Sequence, residues 1–165
     1  MNIRIGMGFD VHELEEGRDF WMGGIKLPAS KGATGHSDAD VLIHAICDAL
    51  LGAANLRDIG FHFSNKDDRW KGKDSKFFLK EVVRMLTERN WKVGNVDCTI
   101  CLENPKINPH IPEMKNVLAP LMNILVDDVS IKATTNEKLG YVGREEGVCA
   151  YAVVLITKLD YPFTR

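Results

Sequence analysis

The hydrophobic pattern of this chain changes its period along the sequence, and that change constrains the fold more than any other feature. Over residues 3–11, apolar side chains alternate with other residues, which predicts a strand that ends near His12. Over residues 40–54, the apolar side chains instead share one broad helical face. A chain that switches between periods of two and 3.6 in this way is predicted to mix strands with helices.

The same two patterns recur along the rest of the chain. We expect residues 13–36 and 55–73 to be largely irregular, with one short strand possible within residues 22–27. The further segments are predicted as helices over 75–89 and 112–124, and as strands over 96–102, 129–133 and 148–157. The predicted fold class is α+β, a single-domain sandwich of a mixed β-sheet with helices packed on one face.

Polar residues and one proline suggest where the helices begin. Ser37 or Asp38 could cap the first helix, and Asp74 or Ser75 the second. Pro120 lies inside the third predicted helix, so we expect it either to kink that helix or to mark its effective start.

Length and charge exclude several classes of protein. The 165 residues form one domain by length, spanning residues 1–165, and such a chain can bury roughly 68–70% of its unfolded surface. The net charge of −2 excludes an overall basic surface for nucleic acid. No stretch approaches the roughly 20 apolar residues of a membrane span, and no signal-peptide pattern precedes the first strand. We therefore expect a cytoplasmic protein with no nucleic-acid or membrane partner.

Two of the four cysteines, Cys98 and Cys101, form a C-x-x-C motif. A redox motif of this kind needs both sulfurs together at the start of a helix. Here the motif falls inside a predicted strand, where positions three apart face opposite sides. The sequence therefore argues against a redox or zinc role for this pair.

A group of possible metal ligands is the strongest chemical signal. Asp10 and His12 lie two apart near a strand end and point to the same side. His44 shares a helical face with Asp40 and Asp48 at spacings of four. One carboxylate and two imidazoles are the ligand count of an open catalytic zinc site, and Asp40 or Asp48 could fix the tautomer of His44. A solvated strand end and an ordinary helix histidine explain the same residues without a metal.

Two further segments are rich in hydrogen-bond donors. Residues 35–38 immediately precede the first helix, where backbone N–H groups and the helix dipole favour an anion. Residues 133–140 leave a strand with two hydroxyls, a lysine and Glu137, which could hold a hard cation such as Mg²⁺. A plain helix cap explains the first segment equally well, and a polar connecting loop explains the second.

Together these motifs resemble one family, the 2-C-methyl-D-erythritol 2,4-cyclodiphosphate synthases. The resemblance extends from residue 5 to about residue 158 and depends on several independent motifs in a fixed order. They are Ile5-Gly6-x-Gly8-Phe9-Asp10-Val11-His12, Gly35-His36-Ser37-Asp38 with Asp40-Val41, Asp48 to Ala54, Asp58-Ile59-Gly60, Gly94-Asn95-Val96-Asp97, Pro105-Lys106, Pro109-His110-Ile111-Pro112, and Lys132-Ala133-Thr134-Thr135-x-Glu137-Lys138-Leu139-Gly140.

The resemblance implies two kinds of metal ion. Asp10, His12 and His44 would ligate zinc, and Glu137 would hold a magnesium or manganese ion between the α- and β-phosphates of the substrate.

The resemblance also implies roles in substrate binding. His36 and Thr135 would stabilise the transition state. Residues 58–60 would hold the methylerythritol moiety, residues 102–108 with 133–135 would form a cytidine pocket, and Arg144 would contact phosphate. The substrate-binding positions are then Ser37, Asp58, Ile59, Gly60, Leu102, Pro105, Lys106, Ile107, Asn108, Ala133, Thr134, Tyr141 and Arg144.

Two positions depart from the family pattern. Residues 63–67 read Phe-Ser-Asn-Lys-Asp where members commonly carry Phe-Pro-x-x-Asp, so the resemblance assigns no contact to Ser64 or Asn65. Tyr151 stands where some members place a Glu that helps to bind an isoprenoid diphosphate in the central cavity of the trimer, so that site is not carried over.

The resemblance implies a homotrimer with each active site between two subunits, and a metal-dependent phosphorus–oxygen lyase. The enzyme would cyclise 4-diphosphocytidyl-2-C-methyl-D-erythritol 2-phosphate with release of CMP, in the non-mevalonate pathway to isoprenoids. Two alternatives remain open at this point: a zinc-dependent phosphohydrolase, and a trimer that only binds isoprenoid diphosphates.

Overall fold

A computed structural model of the chain describes residues 2–159. Seven strands and five helices alternate in the described residues: β1 (Ile3–Glu16), β2 (Phe20–Met22), β3 (Ile25–Leu27), β4 (Lys31–Ala33), α1 (Val41–Ala53), α2 (Ile59–His62), α3 (Ser75–Thr87), β5 (Trp91–Cys101), α4 (Ile111–Met122), β6 (Val129–Thr134), α5 (Gly140–Gly143) and β7 (Gly147–Lys158). The longer helices and strands lie where the periodicity predicts them. No helix of residues 2–159 is long and apolar enough to cross a membrane.

Five of the strands form one mixed sheet in the order β4-β1-β7-β5-β6. Strand β7 runs antiparallel to both β1 and β5, whereas β5 and β6 are parallel. Helix α1 packs against β1 and β7, and α3 packs against α1. This arrangement confirms the predicted α+β class with a mixed sheet.

Strand β1 is longer than predicted, because it continues past His12 to Glu16 and pairs there with β4. The segment after it, predicted to be irregular, folds into a β2–β3 hairpin. Gly23 and Gly24 form its two-residue turn with φ of +61° and +81°, backbone angles that glycine adopts without steric cost. Both turn amides donate to the Asp40 carboxylate, at 3.0 and 2.7 Å, so the hairpin is fastened to the start of α1.

The prediction that Ser37 or Asp38 caps α1 is wrong. Asp40 is the cap, because its carboxylate accepts a hydrogen bond from the backbone N–H of Ile43 at 3.0 Å. Asp38 instead binds Ser75, the first residue of α3. Asp38 lies two residues before the cap position, and from there its side chain does not reach the free amides of the first turn of α1.

The other helix boundaries bear out one prediction and correct another. Asp74 caps α3 by accepting from Lys76 N–H at 2.8 Å, as predicted. Pro120 does not mark the start of α4, because the helix runs from Ile111 through it to Met122.

The two cysteines of the C-x-x-C motif face different environments. Cys98 is buried in the core under the helices, whereas Cys101 is only partly buried. Both lie within β5, whose side chains alternate between the two faces of the sheet. All four cysteines are free thiols in this structure, and the absence of a redox role stays a prediction.

Glycines in β1 allow α1 to lie unusually close to the sheet. A methyl group built on Gly6 would overlap the carbonyl oxygen of Ala49, and one on Gly8 would overlap that of Ala45. The backbones of β1 and α1 are therefore in direct contact, with small residues on both sides. This contact determines how near the side chains of β1 lie to those of the helix.

We expect Gly8→Ala to lower the free energy of unfolding by about 1–3 kcal/mol or more, because the added methyl must push α1 away from β1. Urea denaturation measures this change. Gly52→Ala is the matched control, since Gly52 lies in α1 with no atom within 4 Å of the added methyl, and we expect it to stabilise the helix by up to about 1 kcal/mol. Equal stability of the two variants would contradict the packing argument.

Candidate metal centre and ligand cavities

Three possible metal ligands from β1 and α1 converge at one point. The Oδ2 atom of Asp10 lies 3.0 Å from His12 Nε2 and 3.1 Å from His44 Nδ1. The two ring nitrogens are 3.2 Å apart. A search of residues 2–159 for three or more His, Cys, Asp or Glu side chains that could hold one metal ion finds this group.

The size and chemistry of this triangle fit a zinc ion. Zinc binds histidine nitrogen and carboxylate oxygen at about 2.0–2.2 Å in a tetrahedron, which places neighbouring ligand atoms roughly 3.3 Å apart. The three observed separations are close to that value. Three protein ligands leave a fourth position for a substrate oxygen or water.

The three side chains are coupled electrostatically. Burial alone would raise the pKa of the Asp10 carboxyl, but hydrogen bonds from His12 and His44 outweigh it and hold that pKa well below its usual range. For His44, burial lowers the pKa, and the hydrogen bond and charge of Asp10 more than reverse this effect, so the pKa of His44 is raised. Asp10 therefore stays ionised at neutral pH, and its charge favours the protonated form of His44.

The prediction that Asp40 or Asp48 fixes the tautomer of His44 is wrong. The carboxylate of Asp40 is saturated by backbone amides of the hairpin and of α1, and that of Asp48 accepts from Ile59 N–H at 2.7 Å. The far nitrogen of His44, Nε2, instead lies 3.0 Å from Ser75 Oγ. Ser75 is 31 residues away in sequence, so no local spacing indicated this contact.

The ligand triangle opens into a cavity of about 390 Å³. His36, Ser37, Ile59 and Gly60, four of the predicted substrate-binding or catalytic positions, line it. Asp58 does not line this cavity but caps α2 by accepting from Phe61 N–H at 2.9 Å. The lining further contains Gly35, Phe63, Asn65, Trp70 and Phe78.

Sequence reasoning missed the aromatic part of this wall. Phe63, Trp70 and Phe78 pack edge-on or tilted with ring centroids 5.0–6.0 Å apart. Phe63 and Trp70 come from the segment before α3, and Phe78 comes from α3 itself. In the sequence they are isolated apolar residues, and no spacing marks them as one group. Asn65, to which the family resemblance assigned nothing, also lines the cavity.

A second, smaller cavity of about 140 Å³ lies where β5 and β6 end. It is lined by eight of the residues for which the resemblance implied a cytidine pocket: Leu102, Pro105, Lys106, Ile107, Asn108, Ala133, Thr134 and Thr135. The two cavities share no lining residue. Within one chain, the metal ligands and the predicted nucleotide pocket are therefore separate.

The remaining predicted site residues lie on the surface beyond the second cavity. The hydroxyl of Thr135 donates to Glu137 Oε1 at 3.3 Å. Arg144 forms two hydrogen bonds of 2.9 Å with Glu146, and Tyr141 lies in the short helix α5. Glu137 is exposed and does not belong to the three-ligand cluster.

The three backbone amides nearest the start of α1 already have acceptors within the chain, so an anion site at residues 35–38 stays a prediction that depends on the N–H groups of residues 35–37. The N–H of Asp38 donates to Lys73 O, that of Ala39 to Ser37 Oγ, and that of Asp40 to Asp38 Oδ1. The carboxylate of Asp40 also faces the positive end of the helix dipole.

Comparisons with known proteins give a consistent result. The model of the YgbB family matches residues 3–157. A 2-C-methyl-D-erythritol 2,4-cyclodiphosphate synthase from Cytophaga hutchinsonii is 67% identical over 158 residues, 96% of this chain and 99% of that protein. The corresponding synthase of Phocaeicola vulgatus is 62% identical over 160 residues, 97% of this chain and all of that protein.

Solved structures have the same fold. A 2-C-methyl-D-erythritol-2,4-cyclodiphosphate synthase in its CDP-bound form matches with a TM-score of 0.86 and 39% identity, over 93% of this chain and 99% of that one. The bifunctional IspDF of Campylobacter jejuni matches with a TM-score of 0.92 and 35% identity, over 96% of this chain and 43% of that longer chain.

We expect zinc affinity to fall as the pH is lowered from about 8 to about 6, because protons compete with the ion for His44, whose pKa is raised beside Asp10. Calorimetric titration with zinc measures the affinity and, in buffers of different ionisation enthalpy, the protons released. His44→Ala should abolish tight binding. His110→Ala, which removes an imidazole outside the cluster, should bind zinc like the unmodified protein, and an equal loss in both variants would refute this ligand set.

Proposed function

This chain belongs to the YgbB family, and we propose that the cluster of Asp10, His12 and His44 is the metal centre with which it acts. The reaction is the one for which its relatives are named, the formation of 2-C-methyl-D-erythritol 2,4-cyclodiphosphate. The substrate is 4-diphosphocytidyl-2-C-methyl-D-erythritol 2-phosphate, CMP is released, and the product serves the non-mevalonate pathway to isoprenoids. The observation that carries the proposed centre is the ligand triangle at the wall of the larger cavity.

The reaction needs no base from the protein. An oxygen of the 2-phosphate attacks the β-phosphorus, and the bond from that phosphorus to the oxygen bridging to the α-phosphate breaks. The electron pair leaves with CMP, and an eight-membered cyclic diphosphate forms without water. The obstacle is the repulsion between two anionic phosphates, so the protein must supply positive charge and orientation.

A zinc ion held by Asp10, His12 and His44 would supply a Lewis acid for a phosphate oxygen. His36 lies in the same cavity, and the carbonyl oxygen of Asp67 accepts a hydrogen bond from its Nε2 at 3.2 Å. With Nε2 donating in that bond, Nδ1 can donate to phosphate only when the ring carries both protons, so His36 would act on a developing phosphate charge as an imidazolium. His36 is thus positioned to stabilise the transition state.

The second cavity suits the leaving nucleotide. Its lining offers backbone groups, the Lys106 ammonium and the Thr135 hydroxyl for cytidine and its phosphate. Glu137 adjoins Thr135 and is free of cationic partners in the contacts described above, so it could hold Mg²⁺ or Mn²⁺ at the diphosphate. Arg144 and Tyr141 would complete the substrate contacts from the neighbouring segment.

A single chain does not bring the two cavities together. His12 and Thr134 lie at the same end of the sheet, but β7 and β5 separate their strands, a distance of roughly 14 Å at 4.7–4.9 Å per strand. We infer that the active site forms between two copies, one with the metal ligands and the other with the nucleotide pocket.

The sheet face opposite α1 supports a homotrimer. Ile5 is 70% exposed and Met7 64% exposed, and Phe9, Tyr151 and Val153 extend the same apolar surface across β1 and β7. A continuous apolar strip of this kind is typical of an interface rather than of a monomer surface. In the trimer this face would be buried and would bring cavities of neighbouring subunits together.

We expect Ile5→Glu to dissociate the trimer, because it would bury an unpaired carboxylate in an apolar interface. Light scattering coupled to size-exclusion chromatography measures the mass in solution. Leu125→Glu is the control, since Leu125 is equally exposed at 73% but follows α4, away from this face. An unmodified protein that is monomeric, or an Ile5→Glu variant that stays trimeric, would contradict the proposed interface.

Product analysis tests the function directly. Incubated with substrate, zinc and magnesium in ¹⁸O-labelled water, the protein should release CMP and a cyclic diphosphate that contains no label. A phosphohydrolase would give a linear, labelled product, and a trimer that only binds diphosphates would give no turnover.

Removing zinc with a chelator should abolish turnover while the trimer survives. If the ion were structural, its removal would unfold the protein as well.

A further inference from the structure

Ser75 is a buried polar side chain that the reaction described above leaves without a role. It is fully buried at the start of α3, against the side of His44 that faces away from the ligand triangle. Its hydroxyl oxygen lies 3.0 Å from His44 Nε2. Ser37 Oγ approaches the same nitrogen at 3.2 Å.

The direction of these hydrogen bonds follows from the chemistry of the groups. Asp38 Oδ1 accepts from the Ser75 hydroxyl in a short contact, and Asp38 Oδ2 accepts from the Ser75 backbone N–H at 2.9 Å. Because the Ser75 hydroxyl is the donor in that contact, its proton points at Asp38. The Ser75 oxygen is then left as an acceptor, and His44 Nε2 must be the donor.

We infer that Ser75 and Asp38 are positioning residues for the metal ligand His44. With an ion bound, they would hold the one proton of the neutral imidazole on Nε2, which leaves the lone pair of Nδ1 to ligate the ion beside Asp10 and His12. The chain from carboxylate through hydroxyl to imidazole also makes Nδ1 a stronger ligand. This inference depends on the metal centre proposed above.

A purely structural role for Ser75 would not require this geometry. Asp38 already ties the first turn of α3 to the loop before α1 through the Ser75 backbone N–H. The hydroxyl adds a second hydrogen bond to Asp38, and it is the part of Ser75 that reaches His44. Without it the backbone tie remains, but the contact with His44 is lost. Removing the hydroxyl should therefore change the metal site more than the fold.

The test compares zinc affinity with the stability of the metal-free protein. We expect Ser75→Ala to weaken zinc binding about 10–100-fold, the usual effect of losing a residue that orients a metal ligand, in competition with a chromophoric chelator. Asp38→Asn should weaken it in the same direction. Cobalt-substituted Ser75→Ala should also show altered visible absorption bands, which report the ligand field directly.

Asp74→Ala is the matched control, because Asp74 caps the same helix turn through Lys76 N–H without touching His44. It should lower the melting temperature of the metal-free protein and leave zinc affinity unchanged. An equal loss of affinity in Asp74→Ala, or an unchanged affinity in Ser75→Ala, overturns the inference.

The unmodified protein provides a test that does not depend on any variant folding. In the zinc-loaded protein, ¹H–¹⁵N correlation spectra of the imidazoles should show the His44 proton on Nε2, and a proton on Nδ1 overturns the inference. An unmodified protein that binds no zinc would refute the metal centre itself. Tight binding in both the unmodified protein and Ser75→Ala would refute only the role of Ser75 and Asp38.

Discussion

The close contact between β1 and α1 is the constraint on which the rest of the structure depends. Gly6 and Gly8 leave no side chain between the strand and the carbonyl oxygens of Ala45 and Ala49. His44 directly precedes Ala45, so the same contact brings its ring against Asp10. The metal ligands therefore converge because two glycines allow the backbones to touch, and the packing of the core and the geometry of the site have one cause.

Three carboxylates near the start of α1 have different environments and different roles. Asp10 accepts from two imidazoles, which keeps it ionised beside the cavity. Asp40 is fully buried and satisfied by three backbone amides, so it joins the hairpin to the helix. Asp38 binds Ser75, the first residue of α3. The Ser75 hydroxyl in turn contacts the Nε2 side of His44. Burial and the available donors, rather than residue type, separate these roles.

The division of the candidate site between two cavities links the chemistry to assembly. A sheet with helices on one face leaves its other face bare, and here that face is apolar along β1 and β7. Covering it with further copies of the chain removes apolar surface from water, which is favourable in proportion to the area buried. The same association would place a nucleotide pocket beside a metal centre, so burial of this face and completion of the active site would be one event.

Local sequence patterns are sufficient to predict the strongly periodic helices and strands and the residue types of the candidate site. Alternation over residues 3–11 and the helical face of residues 40–54 are local signals, and the order of the motifs is a property of the sequence alone. Three features follow only from the packing of the folded chain: Asp40 rather than Ser37 or Asp38 caps α1, Ser75 rather than Asp48 meets His44, and aromatic side chains wall the cavity. Ser75 lies 31 residues from His44, and Asp40 also binds hairpin amides 16 and 17 residues away, so these contacts depend on how the hairpin, α1 and α3 pack. Periodicity records which face of an element is buried, but not what lies against it.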